Sequence, residues 1–318
     1  MAWSTQRAWR RCGKCGGFWF SGAAGQGTCP AAIGGGHLQA DTNNYSLVVD
    51  ATIAPGQSGW RRCSKCLSLW FGGSAQGTCA AGGSHSAAAG SYTVAFTSQF
   101  PFGEANWRCC AKCQSLFFAG GAVNQCAAGG GHNPDGTPSL SLVIVDSAVR
   151  LHTKVLTTPT GTAIETMMHN IREIYAAGRI DVEWVSHENL NLPDLLDVEV
   201  GDCLIGQNPT DEQTALYANR NNVGANEIAV YFVRNTIPIM NGCAAHPGGQ
   251  PGAIVASIAS QWTLAHEIGH VLALQHATGA ANSDRLMFNQ TSAITNPPPD
   301  LIASEIAAMK ASGLTVGV

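Results

Sequence analysis

Charged side chains are scarce in this sequence, and several common features are missing altogether. Only 12% of the residues are charged and 45% are hydrophobic, a balance that excludes a disordered chain and predicts a packed globular protein. No segment approaches the ~20 apolar residues that a membrane-spanning helix needs, so we expect no membrane span. The N-terminal segment MAWSTQRAWRRC lacks the apolar core of a secretory signal. We expect a protein that is secreted or delivered by a route without a visible signal peptide.

Basic residues are also few, and cysteine is rare after residue 130. Residues 1–146 carry nine Lys and Arg against five Asp and Glu, whereas residues 147–318 carry eight against sixteen. Neither region has the basic excess that binds a nucleic-acid backbone, so we expect no nucleic-acid partner. Ten of the twelve cysteines precede residue 130, and only Cys203 and Cys243 follow it. This asymmetry predicts two domains, residues 1–146 and 148–318.

The first domain is built from three copies of one unit. The segments WRRCGKCGGFWFSGAAGQGTCPAAIGGGH, WRRCSKCLSLWFGGSAQGTCAAGGSH and WRCCAKCQSLFFAGGAVNQCAAGGGH align, with a period of 47 to 51 residues. Each copy ends in a short alternating strand, YSLVVD, YTVAF or LSLVIVD, after Gly-rich turns. The pattern predicts all-β repeats, which could close into a pseudo-threefold body or stack as separate modules.

Every copy also contains a C-x2-C pair, a third cysteine and a histidine. Three thiolates and one imidazole make a closed structural zinc site. Disulfides are the alternative, but three cysteines per copy leave one without a partner inside each unit. We therefore predict three structural zinc sites. They are Cys12, Cys15, Cys29 and His37; Cys63, Cys66, Cys79 and His85; and Cys110, Cys113, Cys126 and His132.

Aromatic residues recur in the repeats, with Trp9, Trp60 and Trp107 preceding the cysteine pairs. We expect them to fill the small cores, although a platform for sugar rings or peptides is the alternative. Cys109 is an extra thiol where the other copies have arginine, and we expect it to be a plain buried cysteine. The repeats are interpreted as a targeting module for a carbohydrate or protein surface, including a cell surface.

The second domain mixes strands and helices, which predicts an α+β fold. Alternation and apolar runs predict strands at 149–156, 180–186, 226–234 and 252–258. Apolar residues at helical spacing predict helices at 162–178, 259–276 and 297–313. Cys203 and Cys243, both near glycines, could form a disulfide in an oxidising compartment.

The segment HEIGHVLALQH carries the chemistry of this domain. His266 and His270 are separated by about 40° after one helical turn, so both imidazoles can bind one zinc ion. Glu267 lies where its carboxylate can act as general base on a water molecule that the zinc activates.

The third ligand depends on where the helix ends. His276 reaches the zinc only if the chain turns sharply after the second turn of the helix, and three histidines then leave one position open. If the helix continues through Ala273, the third ligand could instead be Glu305 on the late helix, or Asp284.

This segment resembles the metzincin family of zinc peptidases, whose pattern is H-E-x-x-H-x-x-G-x-x-H. His266, Glu267, His270 and His276 match, whereas Ala273 replaces the glycine of the turn, at a cost of about 1–2 kcal/mol for a left-handed residue. The resemblance implies that Met287 is the methionine packed beneath the zinc without binding it. Some metzincins have a tyrosine ligand two residues further on, but this position is Asn289, so none is expected.

The resemblance covers roughly residues 148–318 and implies a zinc-dependent endopeptidase with one catalytic zinc ion, acting on protein or peptide substrates. With the three structural ions predicted for the repeats, four zinc ions per chain are expected. The alternative from another class is a binding protein whose peptidase-like domain is inactive. A third alternative is that residues 1–146 inhibit the peptidase until they are removed.

Overall fold

The computed structural model describes residues 4–31, 35–51, 56–121, 125–204, 206 and 208–318. The chain divides into two compact units, Trp3–Asp146 and Ser147–Val318. The first unit is an antiparallel sheet that is nearly a barrel, and the second mixes helices with a largely parallel sheet.

The first unit contains nine short strands in its described residues, three from each sequence repeat. In chain order they are β1 (Ser4–Arg11), β2 (Phe18–Phe20), β3 (Asn44–Val49), β4 (Gln57–Arg62), β5 (Leu69–Phe71), β6 (Tyr92–Phe96), β7 (Glu104–Cys109), β8 (Leu116–Phe118) and β9 (Leu140–Val145). Within each repeat the first strand pairs with both of the others, in antiparallel fashion.

The last strands of the three repeats pair with one another. β3 pairs with β6, β6 with β9 and β9 with β3. Backbone hydrogen bonds of 2.8–3.0 Å also join each repeat to the next in a cycle. They run from the amide to the carbonyl in Phe20–Leu67, Phe71–Gln114 and Phe118–Gly16. The three copies therefore close into a pseudo-threefold body, and the stacked arrangement is excluded.

The aromatic residues of the repeats form the core of this body. Trp9, Trp60 and Trp107 are 0% exposed. Phe18 stacks on Trp9 and meets Trp107 edge-on, at centroid distances of 5.2 and 4.9 Å. The prediction that the repeated tryptophans fill the core is confirmed, and they offer no exposed platform for a sugar. Cys109 is buried, as expected.

The second unit contains eight strands and four α-helices in its described residues. They are β10 (Ser147–Val155), α1 (Ile164–Ala176), β11 (Ile180–Asn189), β12 (Asp197–Glu199), α2 (Asp211–Tyr217), β13 (Ile228–Val233), β14 (Asn235–Ile237), β15 (Gly242–Cys243), β16 (Gly252–Ala256), α3 (Thr263–Val271), α4 (Ala303–Ala311) and β17 (Val316–Gly317). No helix in the described residues is both long and apolar enough to span a membrane.

The main sheet of this unit has the order β11-β10-β13-β16-β15, with β17 on β10. The first four strands are parallel, and β15 is an antiparallel edge strand. Helix α1 packs on β11, α3 packs on β16, and the two helices contact each other. The Tyr175 hydroxyl of α1 donates a 3.0 Å hydrogen bond to the carbonyl of Ala265, which fixes α3 against the sheet.

Candidate metal centres and cleft

Helix α3 ends before Ala273, so the sharp turn that His276 needs in order to join the other two histidines is present. Its apolar residues, Leu264 and Ile268 among them, are buried, but the helix stops at Val271 instead of continuing to residue 276. Ala273 adopts the left-handed region with a φ of 73°. Leu274 N–H donates a 2.9 Å hydrogen bond to the carbonyl of Gly269, and this bond caps the end of the helix. The replacement of glycine by alanine therefore does not prevent the turn.

This turn brings three imidazoles to one point. The Nε2 atoms of His266 and His270 lie 3.1 Å apart, those of His270 and His276 3.0 Å, and those of His266 and His276 3.2 Å. Ligands 2.0–2.1 Å from a tetrahedral zinc ion are separated by about 3.3 Å. The three nitrogen atoms therefore fit one zinc ion.

Backbone carbonyls orient two of these rings. His266 Nδ1 lies 2.8 Å from the carbonyl of Leu286, and His270 Nδ1 lies 2.9 Å from that of Leu274. A proton on Nδ1 that donates to the carbonyl leaves the Nε2 lone pair free for a metal. Burial, together with the neighbouring histidines, lowers the pKa of His266 to about 3. Burial is also the main cause that lowers the pKa of His270 to about 4, so both rings are neutral donors near pH 7.

Glu267 lies beside the three histidines in a cavity of about 660 Å³. Its side chain is only 7% exposed, and burial raises the pKa of its carboxyl to about 8. A Cβ atom on Gly242 would lie 2.8 Å from Glu267 Oε1. Residue 242 of β15 must therefore be glycine for the Glu267 carboxylate to lie where it does. A cation held by the histidines would oppose the pKa shift by attracting the charged form.

Met287 lies against the helix turn that carries the first two histidines. It is fully buried, and its backbone carbonyl accepts a 2.7 Å hydrogen bond from Ala277 N–H. A Cβ atom on Gly269 would come within 2.7 Å of Met287 Sδ. Gly269 therefore provides the space that Met287 fills.

The rival third ligands do not join this centre. Within the described residues, the group that could hold a metal here contains His266, His270 and His276 only. The carboxylate of Glu305 pairs with Arg285 and accepts a 3.0 Å hydrogen bond from Ile302 N–H at the start of α4. Asp284 is also outside the group.

The cysteines and histidines of the repeats form three further clusters. In each, the four potential ligand atoms lie within 4.8 Å of one another, and the first and third sulfur atoms are 3.8 Å apart. A disulfide requires about 2.05 Å, whereas sulfur atoms 2.3 Å from a tetrahedral zinc ion are separated by about 3.8 Å. All the ligand cysteines are buried and unpaired. The donor set and its dimensions fit zinc.

The surroundings of these clusters repeat as well. His37 Nδ1 faces Cys15 at 3.7 Å, and its Nε2 lies 3.2 Å from the carbonyl of Cys66 in the next repeat. His85 Nε2 likewise lies 3.1 Å from the carbonyl of Cys113 in the third repeat. Hydrogen bonding to the second cysteine of each pair lowers the pKa of the first, which favours the thiolate that binds metal. These first cysteines are Cys12, Cys63 and Cys110.

A lysine between the paired cysteines closes each cluster. Its Nζ donates a hydrogen bond of 2.7–2.9 Å to a glycine carbonyl in the segment that leads to the histidine. The pairs are Lys14–Gly36, Lys65–Gly82 and Lys112–Gly129. An aromatic ring also stacks on each histidine, at 4.6–5.3 Å between centroids. The pairs are Trp19–His37, Trp70–His85 and Phe117–His132.

Some residues that shape the cleft were not assigned to it from the sequence, although the Cys203–Cys243 disulfide was considered. Cys203 and Cys243 form a disulfide, and this bond places Asp202, Cys203 and Leu204 in the cavity wall. Gly242 carried no signal either, because its role appears only when β15 lies beside α3. His152 is not part of a metal cluster: its Nε2 pairs with Glu227 at 2.7 Å.

No protein-family model matches the sequence, and no curated protein matches it. The solved structures that are similar in part include the following two. Archaemetzincin from Methanopyrus kandleri is 12% identical over 52% of this chain and 95% of its own, with a TM-score of 0.35. A chain from a chaperone–substrate complex is 12% identical over 55% of this chain and 35% of its own, with a TM-score of 0.36. Scores this low establish neither a shared fold nor a shared activity.

Proposed function

We propose that residues 147–318 form a zinc-dependent endopeptidase. The observation that carries this proposal is the convergence of three neutral imidazoles beside Glu267, a buried carboxylate that lines an open cavity. Three protein ligands leave a coordination position for chemistry, whereas four ligands close a site. The match of His266, Glu267, His270, His276 and Met287 to the metzincin pattern supports a peptide as substrate.

Each group then has a distinct task. Zinc held by the histidines would polarise the scissile carbonyl and make water in the cavity more acidic. Glu267 accepts the proton of the attacking water and passes it to the leaving amine. Gly242 keeps the carboxylate of Glu267 in position, and the carbonyls of Leu286 and Leu274 hold two ligand rings.

For residues 1–146 we propose three structural zinc sites with four ligands each. Burial of all the ligand sulfur atoms and the closed threefold arrangement support a structural role. Targeting of a protein surface stays part of the proposal for this region. The buried tryptophans lend no support to carbohydrate as its ligand.

The substitution Glu267→Gln tests the proposed endopeptidase. We expect it to keep the full zinc content and to lower the cleavage of casein by about 10²–10⁴-fold, the usual contribution of a general base. Glu173→Gln is the matched control, because burial also raises the pKa of Glu173, to about 7, but its side chain does not line the cavity. Cleavage near the wild-type rate in Glu267→Gln would remove the assigned base.

A further inference from the structure

The wall of the cleft next to the candidate catalytic centre is a short loop fixed by a disulfide. Asp202, Cys203 and Leu204, called here the tethered loop, line the same cavity as Glu267 and the three histidines. Cys203 is bonded to Cys243 of β15, one residue after Gly242, which contacts Glu267. The disulfide therefore holds the tethered loop beside the reacting groups.

The tethered loop offers an apolar surface that ends in a carboxylate. Leu204 is 63% exposed, Met240 lies partly buried in the same cavity, and Asp202 is exposed. Lysine and arginine side chains bury an alkyl stem against apolar groups while the charged end stays at a polar rim. The loop is complementary to such a side chain.

Apart from the proposed zinc ion, the described lining of the cleft carries no fixed positive charge. No Lys or Arg is among the described residues that line the cavity. The sequence from 180 to 219 contains nine Asp and Glu and no Lys or Arg, although four of these acids pair with basic residues outside this range. From 235 to 309 its only Lys or Arg is Arg285. Arg285 is paired with Glu305, and Arg234 is paired with Asp197. Apart from the proposed zinc ion, the exposed charge of the cavity wall is therefore that of Asp202, and a carboxylate at a cleft attracts cationic ligands and repels anionic ones.

A second observation ties this charge to ligand binding. Glu267, at the base of the cavity, is more than nine-tenths buried, and its carboxylate has no hydrogen-bond partner among the described residues. A buried polar group of this kind is expected to meet a ligand or reacting water. The tethered loop and this carboxylate line the same cavity, so a peptide bound at Glu267 can reach the loop.

We propose that the cleft selects peptides with a lysine or arginine that contacts Asp202 and Leu204. This inference rests on the proposed endopeptidase function and names its substrate class. The basic side chain packs its stem on Leu204 and pairs its charge with Asp202.

Three quenched-fluorescent peptides test this selection. They share one central segment and carry Lys, Gln or Glu at the same two flanking positions, and the zinc-loaded full chain is assayed with each. At low salt we expect kcat/KM to be about tenfold higher for the Lys peptide than for the Glu peptide. At ~1 M salt, where the Debye length is ~3 Å, the ratio should shrink to a few-fold.

Asp202→Asn should reduce the Lys/Glu ratio to about threefold or less, whereas Asp194→Asn should preserve it. Asp194 is an exposed carboxylate of the same acidic segment that does not line the cavity. Equal cleavage of all three peptides, or an unchanged ratio in Asp202→Asn, would overturn the inference and leave the endopeptidase standing. If neither casein nor any peptide is cleaved, the endopeptidase proposal itself fails.

Discussion

Both units of this protein place histidine side chains in candidate metal sites, but one kind of site is closed and the other is open. In the repeats, each histidine joins three buried cysteines in a set of four donors, and an aromatic ring stacks on it. In the second unit, three histidines surround one point next to a cavity of about 660 Å³. Only the second arrangement leaves room for a substrate.

The local scaffolds explain this difference. In the repeats, a C-x2-C pair supplies two sulfur atoms from one tight turn, and the lysine between them closes the turn that follows. In the second unit, a helix presents His266 and His270 one turn apart, and Glu267, which follows His266 in the same helix, lines the same cavity. Ligand count and access, more than ligand type, separate a structural site from a candidate catalytic one.

The largest effect is expected from breaking a closed cluster. Cys110→Ser should lose one zinc ion per chain and lower the melting temperature strongly, because structural zinc supplies much of the folding free energy of small domains. The adjacent Cys109→Ser is the matched control: Cys109 is buried but outside the cluster, so all zinc should be retained. Zinc analysis and thermal melting measure both. Equal zinc content in the two variants would contradict the closed site.

The second prediction displaces Glu267 without changing any of the three histidines of the candidate catalytic centre. Gly242→Ala would place a Cβ atom 2.7 Å from Glu267 Cγ. We expect kcat/KM for casein peptides to fall about a hundredfold, since a shift of about 1 Å in a catalytic group costs this much. Zinc content should not change.

Gly248→Ala is the control for that variant, because a Cβ atom there meets nothing within 4 Å. Wild-type activity in both variants would show that Gly242 does not position the carboxylate.

The smallest effect concerns the turn after α3. Ala273→Gly should raise the free energy of unfolding by about 1 kcal/mol, because glycine adopts a φ of 73° without the penalty that alanine carries. Ala307→Gly, at an exposed position inside α4, should lower it by about 1 kcal/mol. Urea denaturation of both variants checks the signs. A loss of stability in Ala273→Gly would refute strain at this residue.

The sequence predicted the parts of both centres that depend on short spacings. The three Cys and His sets and the His266–His270 pair need only local geometry, and the structure brings each set together. The third ligand was predicted to be His276, with Glu305 and Asp284 as alternatives, because the end of the helix depends on whether Ala273 turns. The structure has that turn.

Other features depend on distant contacts and could not be predicted. The closure of the repeats needs β3, β6 and β9 to meet, although they are far apart in the chain. The disulfide between Cys203 and Cys243, at a separation of 40 residues, was raised from the sequence as a possibility, but its place in the cleft wall was not. Helix α2 was missed despite a local signal, the capping box of Thr210 and Gln213.

The zinc content of the intact chain and of His276→Ala tests the central claim most directly. The account predicts about four zinc ions in the wild-type protein, one for each cluster. It predicts three ions and no casein cleavage in His276→Ala, while Glu305→Gln and Asp284→Asn retain all four. Full zinc content in His276→Ala, together with a lost ion in either of the other variants, would contradict the centre of three histidines.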